Sequence, residues 1–108
     1  MLKEIKKYEY RIYPQYTTVQ EPYFANIYLF DASTMIGSLT FVNPDYFKNI
    51  PAPSIDQYGC VVMYFRTGDL PVVIDLLRNE KPLYLFGKET PPTWFSLTTS
   101  EEPVGEGE

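Results

Sequence analysis

Residues 4–13, EIKKYEYRIY, alternate between apolar and charged positions. Tyr8, Tyr10 and Ile12 fall on one side and Lys7, Glu9 and Arg11 on the other. This period of two predicts a half-buried strand with one wet face. Pro14 ends it or confines it to an edge. Residues 23–30, YFANIYLF, carry large side chains at even and odd positions alike, which predicts a central strand covered on both faces. DAST is a polar turn. MIGSLTFV, residues 35–42, alternates again, so the second and third strands form a hairpin.

Residues 43–59, NPDYFKNIPAPSIDQYG, break the pattern with three prolines. A connection this long inside a small domain is often functional or hides a short helix. Asn43 is placed to cap such a turn, with Pro44 at its first position. CVVMYF, residues 60–65, reads as a further central strand. DLPVVIDLLRN then carries Leu70, Val73, Ile74 and Leu77 at i, i+3, i+4 and i+7, one apolar stripe of a helix that starts at Asp69 or Leu70. Asp69 near its start and Arg78 near its end suit the helix dipole, and Pro82 stops it. LYLFG (residues 83–87) and WFSLTT (residues 94–99) are the last strands, joined by KETPPT. The order β-β-β-β-α-β-β, with short connections, predicts an α+β fold: a curved, mainly antiparallel sheet with one helix packed on one face.

Composition sharpens this picture. The 108 residues suit a single globular domain, 1–108, ending in an acidic extension over 100–108. Hydrophobic residues make up 44% and aromatic ones 17%, too many for a disordered chain. Nine basic and fourteen acidic residues give a net charge of −5, and four of the acids lie in residues 100–108. The body is therefore near neutral, at nine against ten. It lacks the basic patch that nucleic-acid phosphates require. Lys3, Lys6, Lys7 and Arg11 are interrupted by Glu4 and Glu9 and read as a solvated strand face. No apolar run approaches the roughly 18 residues of a membrane span, and MLKEIKKYEY has no apolar signal core, so the expected location is cytoplasmic.

Catalytic chemistry is sparse. The chain has no His and one Cys, Cys60, which excludes Ser–His and Cys–His nucleophile pairs and ordinary zinc sites. Cys60 is expected to pack as a small hydrophobe. No glycine-rich phosphate loop is present, and neither a cofactor nor a metal is expected. Asp45, Asp56, Glu89 and the tyrosines remain for acid–base work. The aromatic excess is the better lead, because Tyr is favoured where one end of the side chain is apolar and the other wet. Tyr46, Phe47 and Tyr58 lie in the long connection, where they either present a binding surface or fold back over the sheet.

Asp69–Phe86, DLPVVIDLLRNEKPLYLF, and the ending Leu97–Glu108, LTTSEEPVGEGE, resemble a group of small uncharacterised bacterial proteins of the integron gene-cassette type with an EPVGEGE-like ending. The resemblance covers residues 69–108 closely and the N-terminal half only in its plan of strands. It implies a free-standing small protein, mobile and dispensable in its genetic setting. No activity is assigned to that group, so no catalytic residue carries over. The residues give the ending its own content: Glu101 and Glu102 can pair with the cations Arg78 and Lys81 at the helix end, and Val104 offers the one apolar contact.

The expectation is a non-enzymatic binding or protein-interaction domain, homodimeric through an exposed strand edge. Its partner is a protein or a small apolar ligand. The alternative is a small enzyme using loop carboxylates and tyrosines. An acidic nucleic-acid mimic is disfavoured by the modest, localised charge.

Overall fold

The computed structural model describes residues 2–13, 23–43, 45 and 49–99. Their strands are β1 (Leu2–Glu4), β2 (Lys7–Ile12), β3 (Tyr23–Asp31), β4 (Thr34–Val42), β5 (Ser54–Ile55), β6 (Val61–Arg66), β7 (Leu83–Lys88) and β8 (Trp94–Thr99). A 3-10 turn, Thr67–Asp69, leads into the helix α1 (Leu70–Asn79). The fold is α+β, mainly antiparallel, with one helix packed against the strands. The strands divide between two sheets, β2-β3-β4-β6-β5 and β1-β7-β8. The pairing of β4 with β6 is parallel.

The expected first strand spans both sheets. Successive N–H groups of an extended chain point to opposite sides. At the centre of this segment the Ile5 N–H donates to the Leu83 carbonyl at 2.8 Å and the Lys6 N–H to the Phe30 carbonyl at 2.9 Å. One stretch of backbone therefore stitches the two sheets together, ending as β1 on one side and β2 on the other.

Cross-strand partners share a face, so register defines the core. Ile27, Leu39 and Met63 form one row, and Ala25, Phe41 and Phe65 the next. The Phe41 and Phe65 rings stack at 5.4 Å. Leu85 of the second sheet and Val73 of α1 complete the same cluster. Each such side chain, fully buried, contributes about 1.5–3 kcal/mol from area removed from water. A register shift between Leu29 and Phe30 marks a bulge opposite, and both Ile36 and Gly37 are buried there.

β3 and β6 are interior strands, as expected, and β3–β4 is the expected hairpin. The even face of β3 is half-buried rather than closed. The expected apolar face of β2 is only partly covered: Tyr8 packs against the core, but Tyr10 and Ile12 are 48% and 54% exposed. β2 is the outer strand of the larger sheet, and the layer formed by α1 and the smaller sheet does not reach its far end.

Candidate functional site

An apolar groove of about 520 Å³ lies between α1, β6 and β8. Met63 and Phe65 come from β6, Val72, Val73 and Leu76 from α1, and Phe95 and Leu97 from β8. Asp69, Tyr64 and Ser96 supply its polar groups, and Pro53 closes it beside β5.

Among the described residues, two strand edges open on this groove. β5 pairs only with Val61 and Val62, so Met63–Arg66 has no strand neighbour on that side among the described residues. β8 is the outer strand of the smaller sheet. Natural edges are usually blunted by charge or proline; β8, WFSLTT, carries neither. β2, by contrast, presents Lys7, Glu9 and Arg11.

The sequence pattern revealed the helix but not this groove. Leu70, Val73, Ile74 and Leu77 form the stripe that faces the core. Val72 and Leu76, an i, i+4 pair off that stripe, make the groove wall. The helix is apolar over a wider arc than one contact needs, and that was the available signal.

Of the residues singled out in the sequence, Tyr46 and Phe47 lie outside the described residues. Tyr58 stands 80% exposed at the tip of a turn, away from the groove lining. Asp56 organises that turn: its carboxylate accepts the N–H groups of Tyr58 at 2.8 Å and Cys60 at 3.0 Å. Glu89 accepts the Ile55 N–H at 3.1 Å, which ties the β7–β8 connection to β5. Asn43 accepts the Asp45 N–H at 2.9 Å, the expected cap-like contact; the short helix expected there falls on residues outside the described set. Cys60 is buried, as expected, and its thiol donates to the Met35 carbonyl at 3.3 Å. Arg78 and Lys81 border a second hollow at the C-terminal end of α1, while Glu101, Glu102 and Val104 lie outside the described residues.

A polar cluster that the sequence reading missed lies on the other face of the larger sheet. The register sets Arg11 opposite Asn26 and Glu9 opposite Tyr28. The Asn26 amide donates to the Tyr13 hydroxyl at 3.0 Å. Arg11 pairs with Glu9 at 3.1 Å and lies 5.2 Å from the Tyr28 ring centre. Burial, then the neighbouring Tyr13, raises the Tyr28 phenol above its ordinary value, against the lowering pull of Arg11. A tyrosine so held stays protonated, which suits hydrogen bonding rather than proton abstraction.

Among the described residues, no three His, Cys, Asp or Glu side chains are placed to hold a metal ion, and no helix is long and apolar enough to cross a membrane. Compared with protein-family models, curated proteins and solved structures, the chain matches none of them significantly.

Proposed function

We propose that the protein is a non-enzymatic interaction domain that holds an extended, apolar segment of a protein partner in the groove between α1, β6 and β8. The observation that carries this reading is the meeting of two open strand edges with an apolar lining. An edge offers backbone donors and acceptors to an added strand, and pockets for alternate side chains give selectivity. Among the described residues of the lining, Asp69 is the one that is charged, and it favours a segment with a basic residue at that end.

The test is selection from a random peptide library with the full chain, followed by NMR shift mapping of the selected peptides. Extended sequences with alternating apolar residues are expected, with shifts centred on Met63–Phe65 and Phe95–Leu97. A Leu76→Lys chain should fail to select them. Shifts centred elsewhere, or the same peptides from the Leu76→Lys chain, would reject the reading. Binding of small apolar molecules in place of peptides would assign the groove to a ligand.

Self-association is a second reading, supported by the outer face of the smaller sheet. The register places Leu2 beside Phe86 and Trp94 beside Lys88, and Leu2 and Trp94 are 60% and 64% exposed. Exposed Leu2 and Trp94, set among Glu4, Lys88, Ser96 and Thr98 of the same face, offer apolar anchors for a two-fold contact between copies. The enzymatic alternative has less support, because Asp56 and Glu89 are engaged with backbone N–H groups. The near-neutral body likewise supports a protein partner over a nucleic acid.

A further inference from the structure

The far end of β2 is open on both faces. Tyr10 and Ile12, on the core side, are exposed large apolar residues. On the other side the Arg11 and Glu9 side chains pair at 3.1 Å and remain 59% and 54% exposed. Backbone parity shows which groups of the strand are available. The Tyr13 N–H donates to the Phe24 carbonyl at 2.9 Å, and Arg11 and Glu9 stand opposite Asn26 and Tyr28 in the same register. Hydrogen-bonded and non-hydrogen-bonded pairs alternate along an antiparallel ladder, so Glu9, Arg11 and Tyr13 bond to β3. The N–H and C=O groups of Tyr8, Tyr10 and Ile12 therefore point away from β3, along an edge with no strand neighbour among the described residues.

Charge decides what this edge accepts. Two copies of β2 related by a two-fold axis normal to the sheet run antiparallel, and the position of the axis sets the register. With the axis at Glu9, that residue opposes its own copy and Lys7 opposes Arg11. With the axis at Arg11, two guanidinium groups oppose each other. Like charges directly opposite are destabilising. With the axis at Tyr10, Glu9 opposes Arg11 of the second copy and Arg11 opposes its Glu9. The same register sets Tyr10 against Tyr10 and Tyr8 against Ile12, and in each of these pairs the outward N–H and C=O groups face one another. Axes at Tyr8 or Ile12 overlap less of the strand, which spans Lys7–Ile12.

We propose that β2 is a contact between two copies of this chain, antiparallel and centred on Tyr10, which joins their larger sheets edge to edge. The charges that blunt β2 against other strands match those of its own copy in this register. Tyr10 and Ile12, which the layer of α1 and the smaller sheet leaves uncovered, pack against Tyr10 and Tyr8 of the second copy. The contact uses neither the groove between α1 and β8 nor the face around Trp94, so it stands or fails independently of both.

The test is sedimentation velocity over a range of concentrations for the wild type, Glu9→Arg, Arg11→Glu, the double exchange Glu9→Arg/Arg11→Glu, and Trp94→Lys. The wild type should form a concentration-dependent dimer. Each single reversal should raise its dissociation constant roughly tenfold or more, because both cross-strand pairs become like-charged. The double exchange restores opposite charges and should restore the dimer, as should an equimolar mixture of the two single variants. Amide spectra in which β4 and β7 match the wild type establish that the variants fold. A wild type that is monomeric throughout, or single variants that associate as the wild type does, would overturn the proposal. Loss of the dimer without recovery in the mixture would overturn the register and the proposal with it. A dimer that Trp94→Lys abolishes and the charge reversals leave intact would place the contact on the smaller sheet and overturn the proposal as well.

Discussion

Gly37 of β4 and Leu85 of β7 touch so closely that a β-carbon on Gly37 would stand 2.6 Å from Leu85 Cδ2 and 2.9 Å from the Val61 carbonyl oxygen. The two sheets meet here, and only a residue without a side chain permits it. Gly37→Ala should destabilise the fold by about 1–3 kcal/mol, the usual cost of overpacking a core. Leu85→Ala, costly by itself, should cost less in the Gly37→Ala chain than in the wild type, because it relieves the clash. Gly68→Ala is the control: nothing lies within 4 Å of its would-be β-carbon. Urea denaturation of the wild type, the three single variants and the double variant checks this.

Ala32 turns the β3–β4 hairpin with φ of 53°, in the left-handed region where a β-carbon is unfavourable and Gly is preferred. Ala32→Gly should therefore stabilise by up to about 1 kcal/mol, after subtracting the extra entropy Gly brings to the unfolded chain. A thermal melt that moves downward would reject the strain argument.

Asp56 holds two backbone N–H groups in the turn before β6, with Gly59 at φ of 80°. Asp56→Ala should cost about 1–2 kcal/mol by leaving those donors without their acceptor. Asp56→Asn should cost less, because its carbonyl oxygen still accepts. Chemical denaturation of both variants distinguishes the two outcomes.

Stability should decline on the alkaline side. Burial, and then Asp56, raises the Cys60 thiol above 9.0, and burial raises the Tyr28 phenol above 10.0. Both groups are favoured protonated in the fold. Their contributions are complete below the unfolded values and are lost as pH rises through the raised ones. Urea midpoints should hold level to about pH 9 and then fall. Cys60→Ala should flatten the first part of the decline and Tyr28→Phe the later part. Unchanged slopes in both variants would remove these groups as the cause.

If the outer face of the smaller sheet pairs two copies, Trp94→Lys should shift the chain toward monomer. Sedimentation velocity at two concentrations reads this directly. A wild-type profile that is monomeric at both would eliminate the self-association reading.

The α1 stripe, the β3–β4 hairpin and the buried Cys60 were all legible in the sequence, because each follows from local periodicity or a short apolar run. The groove was not. Val72 and Leu76 belong to it only because β8, separated from them in the chain by all of β7, passes alongside the helix. The Tyr13–Asn26–Tyr28–Arg11 cluster escaped for the same reason, since register between β2 and β3 brings it together. Tyr58, singled out for its place in a long connection, stands in solvent on a turn that the local hydrogen bonds of Asp56 shape.

Alternation and helical spacing by themselves determined that this chain forms strands, one helix and an apolar core, since those patterns act within a few residues of backbone. Tertiary structure decided how the strands divide into two sheets. The N–H groups of Ile5 and Lys6 point in opposite directions, so neighbouring residues of one extended segment bond to different partners, Leu83 and Phe30. Which edges stay open, and therefore where a partner can add, follows from that division and from the single layer that α1 and the smaller sheet provide. Pairing of distant segments sets both, and no local pattern encodes it.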